Sequence, residues 1–452
     1  MNPADTLTGV THLAHRWPVV SPSDAALPHV AFVIRTVVGR AGGAEKVLCN
    51  VANALADAGI PVTIYHADPP GRPFFELRRS VHVLSVRPKD RPKLPETGSA
   101  PRGAPKGRAA LKYRFPASFF TWWRQHRWFI KALRSFLRAH RPRLVIAFQP
   151  SATTDTLIAC MGTGIPVVAS LHNVPEHDFT KWERWDANPF DRFLRLHALR
   201  MAAGITVLLP EFRDWFPPSL QKRMTVLPNA VFVSGEMARP AEPDPQRNMI
   251  IVVGRLSPAK DHATLIQAWA RLHRAYPDWQ IELYGNGPLR KQIEAQIAEA
   301  GVASSFHLKG ESDDVMSHYA RAKIFCMPSR FEGFGLVTAE ALLKGLPAVG
   351  FADCPGTNSL IVHGSNGLLA DPAQYGGDRA QALADALEVL LKNPELRALL
   401  GAAGPASMAA FAPGVVAAGW LDLVRRADAR QTEDLPASAS GNHLEPASRR
   451  GE

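Results

Sequence analysis

The stretch KIFCMPSRFEGFGLVTAEALLKGLP, residues 323–347, changes character twice within its length. Ile324 to Ser329 is an apolar run of the kind a buried parallel strand needs. RFEGFG (330–335) interrupts it. LVTAEALLK (336–344) then has helical spacing and no breaker until Gly345 and Pro347, residues that commonly follow a helix end. Strand, glycine-bearing loop, helix and strand is the resulting order, the repeating unit of a parallel sheet. Such a loop presents unpaired backbone N–H groups and the positive end of a helix dipole, which favour an anion such as a diphosphate. Gly333 and Gly335 allow the backbone to approach a ligand closely. Glu332 falls in the loop and Glu340 about a turn into the helix, a placement that can aim both carboxylates at one ligand. Ionised carboxylates accept strong hydrogen bonds from sugar and ribose hydroxyls. On spacing alone, two glutamates this far apart are more often solvated surface charges; the surrounding strand, glycines and helix stop single them out.

Outward from this stretch, short apolar runs alternate with helix-length amphipathic segments, the signature of an α/β architecture. In the first half, strands are predicted at 29–36, 61–67, 81–86, 143–149, 166–173 and 204–209, followed by MTVLPN. In the second they are predicted at 249–254, 280–285, SFHLKG and KIFCMPS, with helices from Asp261, from Pro288 to Ala300 and from Asp313. RPAEPDPQRN (239–248) interrupts all periodicity between the halves and reads as a linker. The expected organisation is a disordered N-terminus (1–27), a first Rossmann-like domain (28–238), the linker, a second domain (249–412), a C-terminal helix (413–430) that crosses back to the first domain, and a disordered tail (431–452). Two doubly wound domains bind ligands at the carboxyl ends of their strands, so the cleft between them is the expected site.

A chain of 452 residues supports two cores. No stretch approaches the roughly 20 apolar residues of a membrane-spanning helix. The four cysteines, Cys49, Cys160, Cys326 and Cys354, form no CxxC pair, and no secretory signal is evident, which together fit a reducing cytosol. The formal net charge of +11 favours polyanionic partners: nucleic acid, an anionic membrane surface or phosphorylated small molecules.

Two further loops in the second half suit a phosphorylated ligand. RLSPAKD follows the strand ending at Gly254 and places Arg255 and Lys260 before a helix. Fixed cations there can stabilise the negative charge left on a departing diphosphate. YGNGPLRKQ contains Gly285 and Gly287 but is no dinucleotide fingerprint, because Arg290 stands where a third glycine would be; it reads as a tight turn into a helix.

ARAKIFCMPSRFEGFGLVTAEALLKGLPAVG resembles the donor-site segment of glycosyltransferase family 4, with Glu332 and Glu340 as the E-x7-E pair. The resemblance covers most of residues 29–428 and is strongest from 249 to 370. It implies the GT-B fold, two Rossmann-like domains facing across a cleft, and a retaining, metal-independent sugar transfer from a nucleotide sugar that acts as co-substrate. It assigns the nucleotide ribose to Glu340 and the donor sugar to Glu332. The amides around Phe334, Gly335 and Leu336 hold sugar or phosphate, Arg255 and Lys260 hold the diphosphate, and Gly254, Gly285 and Gly287 line the donor pocket. CPGTNSLIVHGSNGLLA (354–370) is similar to the family's following segment, with Ser359 where many relatives carry Glu. In the first half, Gly42 and Gly43 open an amphipathic helix and correspond to the family's glycine-rich turn near donor phosphate and acceptor. His172 ends a strand where the family often has a His close to the donor sugar, and Asn229 matches the family's Asn-Gly motif with Ala230 in place of Gly.

Residues 87–143 combine a basic, Pro- and Gly-rich loop with KYRFPASFFTWWRQHRWFIKALRSFLRAHRPR, a run without acidic residues. Interleaved arginines and aromatics suit an anionic bilayer, a nucleic-acid backbone, or a half-buried helix with a cationic face. The expected activity is transfer of a hexose or N-acetylhexosamine, UDP-linked, to a lipid-linked or surface-polysaccharide or lipopolysaccharide acceptor, in the cytoplasm or at the inner face of its membrane. Alternatives are a nucleic-acid-binding protein, which leaves the glutamate pair unexplained, and a GT-B enzyme of other chemistry, a sugar-nucleotide epimerase or a phosphorylase.

Overall fold

The structure, a computed structural model, describes residues 29–39, 42–88, 115–180 and 188–433. The expectations for 1–27, for the proline-rich part of the basic segment and for the tail beyond Glu433 lie outside the described residues.

Thirteen strands are described, and they form two all-parallel sheets. The first contains β1 (Val30–Val33), β2 (Val62–His66), β3 (Val81–Ser85), β4 (Leu144–Phe148), β5 (Val167–Ser170), β6 (Gly204–Val207) and β7 (Met224–Val226), in the order β3-β2-β1-β4-β5-β6-β7. The second contains β8 (Met249–Val253), β9 (Gln280–Tyr284), β10 (Phe306–Gly310), β11 (Ile324–Cys326), β12 (Ala348–Phe351) and β13 (Gly367–Ala370), in the order β10-β9-β8-β11-β12-β13. Both sheets reverse direction of growth beside their first strand: Val30 pairs with both Val62 and Leu144, and Ile250 with both Ile281 and Ile324. These two positions are the topological switch points, where doubly wound folds open a crevice for ligands.

The strands are shorter than the apolar runs that predicted them. Leu171, Leu208, Leu209 and Met327 are buried but lie beyond their sheets, in the turns at the carboxyl ends. The Leu171 and Met327 N–H groups still donate to the Thr206 and Val349 carbonyls of the neighbouring strands, at 2.9 and 2.8 Å, so these buried turns carry the composition of strand.

The glutamate helix spans Leu336–Leu343, between β11 and β12. Gly335, at φ +84°, is its N-cap, and Gly345, at φ +80°, ends it. The Leu346 N–H donates to the Ala341 carbonyl and the Gly345 N–H to Leu342, each at 3.0 Å, which is the paired closure that a left-handed glycine permits.

The final helix, Pro413–Glu433, returns to the first sheet and runs slightly past the expected tail boundary. Val416, Trp420, Leu423 and Val424 enter the same apolar cluster as Phe32, Leu48 and Ile146, and Trp420 stacks 6.2 Å from Phe148. Arg143 and Asp428 add an ion pair at 2.7 Å. The linker is pinned rather than loose. Arg397 Nε donates to the Pro240 carbonyl at 2.8 Å, and Lys323 Nζ reaches the Asp244 carbonyl and Asn248 Oδ1 at 3.1 and 2.7 Å. Its prolines and charges interrupt periodicity without conferring slack, because cations of the second unit fix its carbonyls.

Candidate donor site between the two units

The loop after β11 and the loop after β8 lie side by side at the second switch point. The Arg330 N–H donates to the Ala259 carbonyl at 2.9 Å. Across this seam, Lys260 Nζ donates to Glu332 Oε1 at 2.5 Å, and the buried Ser329 hydroxyl donates to the same oxygen at 2.6 Å. One glutamate oxygen thus receives a cation and a hydroxyl, a charge-assisted arrangement that fixes the carboxylate's direction. Arg255 lies exposed in the same loop as Lys260.

Gly285 and Gly287 act on this loop from behind. A Cβ at Gly285 (φ +138°) would lie 2.1 Å from the Gly254 carbonyl oxygen, and one at Gly287 would lie 2.4 Å from that of Leu256. The close approach is sealed by the Leu256 N–H donating to the Asn286 carbonyl and Leu289 N–H to Leu256, at 3.0 and 3.2 Å. Both glycines therefore shape the loop that carries Arg255 and Lys260. Gly254 packs on the Lys260 stem, its Cβ position 3.3 Å from Cε.

Phe334 is buried and meets the Phe411 ring edge-on at 5.1 Å, which leaves its backbone to line the loop. Among the described residues, the amides of Phe334, Gly335, Leu336 and Val337 donate to no main-chain carbonyl, as the start of a helix requires. They form a donor-rich turn between the two glutamates.

Glu340 is only 4% exposed. Its Oε1 accepts from Lys46 Nζ at 2.7 Å, and Lys46 belongs to the first helix, Gly43–Asp57, of the opposite unit. Burial pushes the Glu340 carboxyl up; the Lys46 ammonium, and the Tyr319 hydroxyl beside it, oppose this. The start of that first helix faces the start of the glutamate helix: a Cβ at Gly43 would sit 3.7 Å from Leu336 Cδ1. A Cβ at Gly42 would strike the Glu45 carboxylate instead, at 2.1 Å.

Gly333 touches the first unit even more closely. Its Cβ position is 2.4 Å from the His172 carbonyl oxygen. Beside it, the His177 and Phe331 rings stack at 3.5 Å across the seam. The His172 imidazole itself turns inward. It is buried, hydrogen-bonded through Nε2 to Ser170 Oγ at 2.8 Å and stacked on Phe148 at 4.4 Å. Burial pushes it down to about 3, so it is neutral at physiological pH. In this arrangement its main-chain carbonyl, rather than its ring, borders the glutamate loop.

The contact continues to one side, where the Ser359 hydroxyl donates to Glu211. Together these residues border a cavity of about 730 Å³ whose other walls include Leu209, Pro355 and Phe411. Neither Glu332 nor Glu340 lines it. A second cavity, about 620 Å³, lies behind the linker between Met237 and Pro405, away from the donor loops. Asn229 is buried in the turn after β7.

Sequence reasoning singled out Glu332, Glu340, Lys260 and the glycines, and the fold brings these to one seam. It missed Lys46, Ser329, Tyr319 and His177. Lys46 lies three residues after Gly43, in the helix that Gly42 and Gly43 open, but nothing local says that its side chain crosses to the other unit. It also missed a buried polar cluster just beyond β1, where Asp155 lies between Arg35 and His126 (2.7 Å to His126 Nδ1). Burial pushes the Asp155 carboxyl up, and the Arg35 and His126 interactions outweigh it and hold the group below the usual carboxylate range.

Comparison with known proteins agrees with this geometry. A family model described as Glycosyltransferase Family 4 matches residues 41–234, and one described as Glycosyl transferases group 1 matches residues 235–406. Over 370 residues the chain is 24% identical to a Campylobacter jejuni α-1,4-N-acetyl-D-galactosaminyltransferase whose name specifies a diNAcBac-PP-undecaprenol-linked acceptor, covering 81% of this chain and 90% of that one. Among solved structures, a sucrose-phosphate synthase from Thermosynechococcus elongatus superposes with a TM-score of 0.70 at 20% identity, covering 89% of this chain and all of the other. Anabaena HepE in complex with UDP and glucose superposes with a TM-score of 0.61 at 19% identity, over 88% of this chain and 99% of that one. With both of its units matched by the family models and both sheets in the GT-B arrangement, the chain belongs to glycosyltransferase family 4.

Proposed function

We propose that the protein is a retaining glycosyltransferase that moves a hexose or N-acetylhexosamine from a UDP-linked donor to a lipid-linked or growing surface-glycan acceptor, without a metal ion. The observation that carries this reading is the seam itself: Glu332 fixed by Lys260 and Ser329, Glu340 buried a turn away, and a donor-rich helix start between them. The amides of Phe334, Gly335 and Leu336, with Arg255 and Lys260, receive the diphosphate; Glu340 takes the ribose and Glu332 the sugar. Cations fixed before the reaction stabilise the charge that develops as the nucleotide leaves, the role a divalent ion plays elsewhere. The His172 carbonyl borders the same loop from the first unit. Departure and attack on the same face of the sugar, with the leaving phosphate taking the acceptor's proton, retain the anomeric configuration.

Two features favour a membrane-borne acceptor. The long helix, Phe115–His140, buries Trp122, Phe129, Leu133 and Leu137 and exposes Phe119, Phe120 and Trp123 beside Arg124, Arg127 and Lys131. Such a face suits the anionic interface of a bilayer. Among the described residues no helix is long and apolar enough to cross a membrane. The second is the polyprenyl-linked acceptor named for the Campylobacter relative.

The test is a donor panel. UDP-, GDP- and ADP-sugars are incubated with the protein, with and without a chelator, and the product is followed by proton NMR. Turnover of a UDP-sugar with retained anomeric configuration and no effect of chelation is expected. An inverted product, or activity confined to another nucleotide, would overturn the corresponding part of the reading.

A further inference from the structure

We infer that Lys46, carried on the first unit, is a positioning residue for the donor nucleotide: it reaches across the seam and holds the Glu340 carboxylate ionised and oriented for the ribose. This inference rests on the proposed donor reading. Its basis is an ionic contact between the first helix and the glutamate helix, Lys46 Nζ to Glu340 Oε1 at 2.7 Å, made by a partly exposed lysine to a buried carboxylate. A carboxylate accepts through two oxygens with about four lone-pair sites, so the ammonium on Oε1 leaves the group able to accept a ribose hydroxyl as well.

Among the described residues the Tyr319 hydroxyl also favours the ionised form, but as a neutral group it offers a hydrogen bond and no charge. The Tyr319 hydroxyl donates to the Val337 carbonyl at 3.2 Å and is neutral, since burial and the neighbouring glutamate push it well up. Lys344, at the C-cap of the glutamate helix, donates to the carbonyls of Ser234 and Glu236. Of the groups that influence Glu340, Lys46 and Tyr319, only Lys46 carries charge. Without it, a buried carboxyl keeps its proton to higher pH and becomes a poorer acceptor. The donor pocket is therefore complete only when the two units are apposed, and nucleotide affinity reports their apposition.

The experiment measures UDP binding by calorimetry to the full chain and to Lys46→Met and Lys46→Arg, between about pH 6 and pH 8.5, with thermal midpoints recorded in parallel. Losing a charge-assisted contact to a buried group predicts UDP affinity weaker by roughly tenfold to a hundredfold in Lys46→Met near neutral pH. In that variant affinity rises with pH as Glu340 ionises, whereas wild type is flatter and Lys46→Arg recovers most of the loss. Lys46→Met that binds UDP like wild type with the same pH profile overturns the inference and leaves the donor reading intact. A lowered thermal midpoint without a change in affinity also overturns it, because a simple strut would do that. Absence of UDP binding by wild type would overturn the donor reading and this inference together.

Discussion

Gly333→Ala tests whether the apposition of the two units is the working geometry. The added Cβ would lie 2.4 Å from the His172 carbonyl oxygen and 3.2 Å from Asn173 Cα. Carbon–oxygen contacts settle at about 3.3 Å or more, so relief requires roughly 1 Å of separation. Both obstructing atoms are backbone and belong to the other unit, so no rotamer change can accommodate the methyl. The units must part at the glutamate loop. A misplacement of about 1 Å near reacting atoms costs on the order of a hundredfold in rate, whereas overpacking of this size costs about 1–3 kcal/mol in stability. The expected variant is folded, slightly less stable and about a hundredfold lower in kcat/KM. Gly345→Ala serves as comparison: its φ of +80° makes any side chain strained, but its nearest neighbour, the Gly401 carbonyl oxygen, is 3.6 Å away and outside the seam. That variant should lose about 1–2 kcal/mol of stability and keep its kcat/KM. Steady-state sugar transfer and thermal unfolding on both variants decide the matter. A Gly333→Ala enzyme with wild-type kcat/KM would mean that the reaction tolerates a parted seam and that the apposition is not the working geometry.

Lys260→Ala leaves Glu332 partly buried with only the Ser329 hydroxyl, and should lower kcat more than it raises donor KM, since diphosphate charge grows toward the transition state; a change in KM alone would contradict this. The His172 imidazole sits at about 3 in the folded protein against roughly 6.5 unfolded, so its contribution to stability is full above about pH 6.5 and is lost as pH falls toward 3. His29 and His262, both lowered to about 4, act in the same direction, so the measurement is a difference: acid unfolding of His172→Gln should depend less steeply on pH than wild type, and equal slopes would contradict a buried neutral ring. Trp420→Ala, which empties the contact between the final helix and the first sheet, should cost about 3–5 kcal/mol by thermal or denaturant unfolding. Replacing Arg124, Arg127 and Lys131 by Gln should release the protein from anionic vesicles in a sedimentation assay while leaving transfer to a soluble acceptor intact; unchanged sedimentation would remove the long helix from the membrane contact.

The fold was legible where composition and pairing coincide. Apolar runs such as those of β1, β4 and β8 predicted parallel strands, and Gly335 and Gly345 bracketed the glutamate helix because left-handed backbone selects glycine. Strand ends were less legible, since Leu171 and Leu208 are buried as deeply as paired residues. In the site, Glu332 and Lys260 were each legible as loop residues at strand ends of one sheet, but their direct contact was not, because it depends on how the two loops lie against each other. Lys46 could not be paired with Glu340, as the contact depends on how two separately folded units meet. His172 shows the reverse limit: its position at a strand end was visible, but the direction of its ring follows from Phe148 and Ser170, which only packing reveals.

In the proposed function the segment from Glu332 to Glu340 receives the nucleotide sugar. Equilibrium binding of UDP and of a turned-over UDP-sugar to wild type, Glu340→Ala and Glu332→Ala tests it most directly. Loss of both ligands in Glu340→Ala, against a Glu332→Ala variant that keeps UDP and loses the added affinity of the sugar, is the predicted division. Undiminished binding of UDP-sugar to both variants would place the donor elsewhere.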